Sequence, residues 1–321
     1  TCGAKAPRGL KPAPPGEATG HGTSTFDPLP IVPLPAVPSY PYHRQVHRVG
    51  LIGPGRAGQA LIRLLPGSKY EIGPVLSRTF TSARRATRLM RLGAPTHDPE
   101  DFADCHLILI AVPDDAIAAV AASLAAASFS FRRKIVFHTS GALDSSTLEP
   151  LRARGAAIGT IHPLQTFGRH VLTLTGIHFA VEGEEKALRW AQTLVTDWHG
   201  KLLRLKPGQK ILYHAAATFA GPLFTPLMQA AVLLMGHAGI GPKTALQALR
   251  PLLLTTLDNF SHAGRQSWTG PLARGDVGTI QRHLVALAAT DPVLARYYRG
   301  SALSALALFS RHPHLQRLLE E

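Results

Sequence analysis

Acidic side chains are scarce in this chain of 321 residues: 20 Asp and Glu stand against 34 Lys and Arg, a formal net charge of +14. Cysteine is nearly absent, at Cys2 and Cys105 alone. Two cysteines build neither a disulfide framework nor a Cys-based zinc site. Cys105 opens an apolar stretch and is expected in the core, and a reducing cytoplasm is the expected compartment. No uninterrupted apolar run reaches bilayer-spanning length, so no transmembrane helix is expected. No basic stripe interleaved with aromatics is present either, which argues against nucleic acid as a specific partner. The charge reads instead as a general field favouring anionic ligands, such as a phosphorylated cofactor or a carboxylate substrate.

Residues 1–46 have no helical or strand period and are rich in Pro, Gly and small polar residues. They read as a disordered arm. The arm has no apolar core of signal-peptide type and little of the Ser and Arg of a transit peptide.

What is present begins at Val49-Gly50-Leu51-Ile52, a short buried-strand pattern. It runs into Gly53-Pro54-Gly55-Arg56-Ala57-Gly58, and an apolar helical pattern follows. In that context three glycines point to a dinucleotide. Gly53 permits the tight turn, Gly55 lets backbone approach a pyrophosphate, and Gly58 lets helix and strand pack closely. Pro54, Arg56 and Ala57 complete the loop, and the helix start faces the phosphates with free N–H groups. The competing explanation is a glycine-rich turn with no ligand.

The next strand pattern ends at Ser77 and Arg78. An NAD site places an acid there, about 20 residues past the glycines, for the ribose 2′-hydroxyl. A hydroxyl and a guanidinium suit a 2′-phosphate instead, so NADP is favoured over NAD. Arg84 and Arg85 read as an exposed helix face.

The apolar run Leu107–Val112 reads as a strand buried on both faces. Its end, Ala111-Val112-Pro113, should lie by the cofactor. Asp114 or Asp115 is expected to cap the following helix. Two further strands end in histidine: Lys134–Ala142 carries His138 and Ser140, and Ala157–Phe167 carries His162. These residues are expected where substrate and nicotinamide meet. A purely structural role for each histidine is the alternative. No carboxylate or third histidine stands at a supporting spacing, so no metal is expected. From Lys210 the pattern turns helical, rich in Ala and Leu, with breaks at Pro222, Gly236–Gly241, Pro251 and Gly264–Gly275. The fold class is α/β: a Rossmann-type parallel sheet domain over 47–206, then an all-helical domain over 207–321.

Four segments together resemble a bacterial family that joins a Rossmann-like domain to a DUF2520 domain. They are His138-Thr139-Ser140-Gly141, His162-Pro163-Leu164-Gln165-Thr166-Phe167, Tyr213-His214-Ala215-Ala216, and Thr269 to Asp276. The resemblance covers about residues 48 to 300, within the 6-phosphogluconate-dehydrogenase-like group that also holds ketopantoate and pyrroline-5-carboxylate reductases. It implies an NADP oxidoreductase, a cleft between the domains, and a homodimer formed through the helical domain. Ketopantoate reduction is one case. Relatives of this type hold the substrate oxygen with a Lys and an Asn on the first long helix. Lys210 is present, but Gly221-Pro222 stands where that Asn is expected, which leaves Thr225 or Asn259 for the task.

A carbonyl reductase must supply one proton within hydrogen-bond reach of the substrate. His214 ranks first for this, Lys210 second, and His162 is the third catalytic candidate. Tyr213 and His214 adjoin in a helix, so they are not expected to point the same way. Arg274 and Asp276 are candidates for closing the cleft or binding a carboxylate, against a simple contact with each other. A small anionic 2-oxo or 2-hydroxy acid is the expected substrate. The rival expectation is a non-catalytic NADP-binding sensor or scaffold.

Overall fold

The sheet is seeded by runs too apolar to face water. Leu107–Ile110 (β4) is buried at every position, and β1 (His47–Ile52) is buried from Val49 onward. These belong to a computed structural model that describes residues 46–168, 171–309 and 312–321. The arm expected over 1–46 lies, Val46 apart, outside the described residues, as does Cys2. The remaining strands are β2 (Tyr70–Leu76), β3 (Ala94–Thr96), β5 (Ile135–His138), β6 (Ala157–Pro163), β7 (His178–Gly183) and β8 (Lys201–Arg204). They form one sheet in the order β3-β2-β1-β4-β5-β6-β7-β8.

Strands β1 to β6 pair in parallel, and the order reverses direction between β1 and β4. Such a switch point opens a crevice at the carboxyl ends of the strands. Helices α1 (Arg56–Arg63), α2 (Phe80–Met90), α3 (Asp114–Ala125), α4 (Glu149–Ala153) and α5 (Glu185–Asp197) cover the two faces. One core joins β1, β2, β4 and β6 to α1, α2 and α5, and the other sets α3, Phe102 and Phe131 against the opposite face. Cys105 is buried there as expected, just before β4 rather than inside it.

Two features depart from a plain parallel sheet. The edge strand β3, three residues including Pro95, carries no apolar period from which it could be read. β7 runs antiparallel to β6. No helix lies in the described part of the connection between them, and without a crossover element the chain can only double back.

The rest is helical: α6 (Lys210–Ala220), α7 (Phe224–His237), α8 (Pro242–Ala263), the single turn α9 (Pro271–Arg274), α10 (Val277–Thr290), α11 (Pro292–Phe309) and α12 (Pro313–Glu320). Helices α10 to α12 share a core of Ile280, Leu284, Ala302, Leu306, Leu315 and Leu319. The expected break at Pro251 is absent. This residue sits inside α8, where a proline removes one hydrogen bond but its leucine-rich surroundings sustain the helix.

One stretch of these helices stands out by composition. Within Lys210–His237 a window reaches a mean hydropathy of 1.4, by length and composition alone apolar enough to cross a bilayer. The stretch is divided at Gly221–Leu223, between α6 and α7. Its apolar side chains are dispersed among alanines, which is why no continuous run stands out in the sequence. Phe102 fills the second core at 0% exposure. Phe102→Ala is expected to lower unfolding free energy by about 3–5 kcal/mol, read from the urea midpoint.

A glycine loop and a histidine cluster at the strand ends

Each loop glycine answers to a different local demand. Gly53 has φ of +87°, and a Cβ there would lie 2.6 Å from the Ala111 carbonyl oxygen. At Gly58 a Cβ would lie 2.7 Å from the Gly53 carbonyl oxygen and 3.2 Å from Leu51 Cδ1, so helix and strand meet only through glycine. At Gly55 a Cβ would meet nothing within 4 Å. Its φ of −71° suits any residue, so neither sterics nor backbone explains this glycine from inside the protein. Gly55 caps α1 with no side-chain hydrogen bond, and the first turn holds no acid. The leading N–H groups of α1 therefore face open space beside half-buried Pro54 and Ala57 and exposed Arg56. This is a helix start fit for an anion.

Half-buried Ser77 and exposed Arg78 follow β2 directly, at the carboxyl side of the sheet. Thr79 caps α2 by accepting from the Ser82 N–H. Arg84 and Arg85 are exposed on α2, as expected. Ala111, Val112 and Pro113 follow β4 directly and reach the surface in part. Ala111 and Val112 pack against Gly53, which joins the ends of β1 and β4. The expected aspartate cap does not form. Pro113 is the cap of α3, and Asp114 Oδ2 accepts from the Ser140 hydroxyl at 2.8 Å instead.

His138 and Ser140 build the loop after β5 from beneath. The Ser140 N–H donates to His138 Nδ1 at 3.2 Å, and Nε2 meets the Asp144 carbonyl at 3.1 Å. These partners fix the neutral tautomer with its proton on Nε2. Burial, the largest influence, pulls His138 down to about 4, with the Asp144 bond opposing. His138 is fully buried, so it supports the loop and does not line a surface. The Ser140 hydroxyl accepts from the Ala142 and Leu143 N–H groups.

Lys210 is likewise fully buried. Its ammonium donates to the Ser140 carbonyl at 2.7 Å and to Thr160 Oγ1 at 3.1 Å. Burial draws it down to about 8, against the opposing pull of Glu182, Asp144 and Asp114. Lys210 thus pins the first turn of α6 to β5 and β6, and no part of it is open to a substrate. Glu182 in turn accepts from the Ser145 N–H and hydroxyl.

Above this layer lie the open groups. His162 Nδ1 is 2.8 Å from the Tyr213 hydroxyl. The His214 ring stands edge-on to His162, with centroids 6.0 Å apart. The adjoining residues Tyr213 and His214 therefore both reach the same side chain, because His162 is seated between them. All three are half-buried. Gly141 leaves room for the pair: a Cβ there would lie 2.5 Å from His214 Cδ2 and 2.9 Å from His162 Nε2. Burial, then the charges of Lys210 and His214, bring His162 to about 4, with Asp114 opposing.

Residues 40–163 match the Rossmann-like domain family, and residues 177–305 match the family described as a domain of unknown function, DUF2520. The chain pairs a Rossmann-like domain with a DUF2520 domain. The two matches part between β6 and β7, where the sheet reverses direction. No curated protein sequence matches this Rossmann–DUF2520 chain. Among solved structures it is similar to a Bacteroides fragilis protein described as a candidate NADP oxidoreductase: 22% identity, 81% of this chain and 97% of that one, TM-score 0.68. It is also similar to an Aspergillus terreus reductive aminase in complex with NADPH and ethyl levulinate: 19% identity, 86% and 92% coverage, TM-score 0.57. A third is a Streptococcus pyogenes 1-pyrroline-5-carboxylate reductase: 15% identity, 82% and 96% coverage, TM-score 0.55. At these identities the likeness establishes the fold.

The other candidates are placed as follows. The Thr225 hydroxyl reaches the Gly221 carbonyl in the turn before its own helix, and Asn259 is exposed on α8. Asp276 caps α10 by accepting from the Thr279 N–H, which assigns it a structural task. Arg274 is exposed. Among the described residues no group of three metal-ligating side chains occurs. Sequence reasoning passed over Tyr213 as a partner of His162, and also Thr160 and Glu182. The Tyr-His pair was visible, but its distant partner was not.

His138 and His162 are neutral when folded, near 4 against an ordinary 6.5. Between those values the unfolded chain binds more protons, so stability is full above pH 6.5 and falls as pH drops toward 4. The expected loss is roughly 2–3 kcal/mol per histidine, measured from urea midpoints at pH 7 and pH 4.5. His138→Gln should flatten that slope.

Proposed function

We propose that this protein is an NADP-dependent oxidoreductase acting on a small anionic 2-oxo or 2-hydroxy acid, with ketopantoate reduction the first case to test. The observation that carries the reading is the bare start of α1 under Gly55, open and uncapped at the sheet's switch point. Gly53 to Gly58 would hold the pyrophosphate through backbone N–H groups. Ser77 and Arg78 would hold the 2′-phosphate, and Ala111 to Pro113 would flank the nicotinamide end. The folds of NADP-linked neighbours support the same assignment.

When bound, the cofactor supplies a hydride to the carbonyl carbon. The C=O π pair then moves onto oxygen, which needs a proton. His214, half-buried and reachable by solvent, supplies it and recovers one from water. The net charge of +14 favours encounter with an anionic substrate.

A homodimer in the cytoplasm is part of this proposal. Leu212 is 75% exposed and Phe219 71%, and Leu252, Leu257 and Phe260 on α8 are exposed with them. Apolar surface on this scale favours a partner copy over water. A second reading, a non-catalytic NADP-binding sensor or scaffold, is favoured by the burial of Lys210 away from any substrate.

NADPH fluorescence titration is expected to saturate at micromolar cofactor. Gly55→Val should abolish binding while melting as the wild type does, since a Cβ there meets nothing within 4 Å. Arg78→Ala should weaken NADPH by about tenfold and leave NADH nearly unchanged. Turnover against a panel of 2-oxo acids separates the readings: binding with no turnover across the panel favours the sensor.

A further inference from the structure

The Tyr213 phenol carries a proton that needs an acceptor. Burial pushes the phenol up to about 12, so it keeps that proton. Among the described residues its hydroxyl has one hydrogen-bond partner, His162 Nδ1 at 2.8 Å, with the rings nearly perpendicular at 84°. A phenol that donates to Nδ1 leaves this nitrogen without a proton of its own. The neutral ring then carries its proton on Nε2. That nitrogen lies on the Gly141 side of the ring. No acceptor for it occurs among the described residues, whereas both ring nitrogens of His138 are bonded to backbone.

We propose that Tyr213 is a positioning residue that holds His162 in the tautomer protonated on Nε2, so that His162 presents that N–H to the substrate's carbonyl oxygen. The proposal rests on the oxidoreductase reading for its substrate and on geometry for its tautomer. A fixed N–H aimed where negative charge develops stabilises a transition state without surrendering its proton. His214 remains the group that supplies the proton. The surroundings act in the same direction. Lys210 and His214 from α6 bring positive charge to the ring, which discourages a second proton, and Asp114 from α3 is the one acid that opposes them. Gly141 keeps the approach to Nε2 free of a side chain.

The test has two arms on the full-length protein. Nitrogen-15 NMR of ring-labelled histidine should show His162 protonated on Nε2, with no titration above pH 5. In Tyr213→Phe a population protonated on Nδ1 should appear that the wild type lacks, while His138 keeps its own tautomer. A wild-type His162 protonated on Nδ1, or one that takes a second proton between pH 6 and 7, overturns the proposal. In the activity arm, Tyr213→Phe should lower kcat about tenfold with KM for NADPH unchanged. His162→Ala should lose about a hundredfold, and His162→Gln, which keeps an N–H donor, should recover part of that loss. Equal loss in the Ala and Gln variants overturns the donor role. The NMR arm needs no turnover, so a protein that reduces no carbonyl compound overturns the oxidoreductase reading while the spectrum still decides the tautomer.

Discussion

A single buried ammonium organises the candidate site of this molecule. Taking a lysine charge out of water costs several kcal/mol unless its hydrogens are bonded and opposite charge stands near. Lys210 meets both conditions. It donates to the Ser140 carbonyl and Thr160 Oγ1, with Glu182, Asp144 and Asp114 around it. The geometric consequence outweighs the energetic one. Lys210 opens α6, Ser140 follows β5 and Thr160 lies in β6, so one side chain sets the helix against two strand ends at once. Tyr213 and His214 follow Lys210 within a turn, and His162 follows Thr160 by two residues, so they meet because Lys210 fixes both segments.

The glycine loop was legible because each of its demands is local. A positive φ, a close helix-to-strand approach and an open face each select glycine within six residues of chain. The strands β1 and β4 were legible because a parallel sheet covered on both faces admits only apolar side chains. The interior assignments were not legible in this way. Lys210 and His138 read as site residues because polar groups at strand ends and helix starts usually face a cleft. The burial of Lys210 depends on partners in segments far away in the chain, Ser140 and Thr160, and that of His138 on the Asp144 carbonyl in the loop that follows it. Asp114 read as a cap because its position in the helix permits one, yet the Ser140 hydroxyl took the carboxylate. The Tyr213–His214 pair shows the same limit. Helical spacing says that neighbours diverge, but not that a third ring sits between them.

The two halves of the chain are stabilised differently. The sheet domain closes its own cores around Phe102, Phe131, Phe137 and Phe179. Helices α10 to α12 also close a small core. Helices α6 to α8 do not: α7 has no buried residue, and α8 has only Ala245. Their sequence carries a helical period with leucine and phenylalanine on faces left exposed among the described residues. The buried polar layer under α6 therefore does much of the work of tethering these helices to the sheet.

The bare start of α1 has an effect outside any reaction. Its first turn carries no carboxylate and no capping hydroxyl, so its N–H groups depend on solvent for partners. Small oxyanions dissolved with the protein meet those groups on better terms than water does. Buffer composition thereby becomes a structural variable: the fold should keep longer in sulfate or phosphate than in chloride at equal ionic strength.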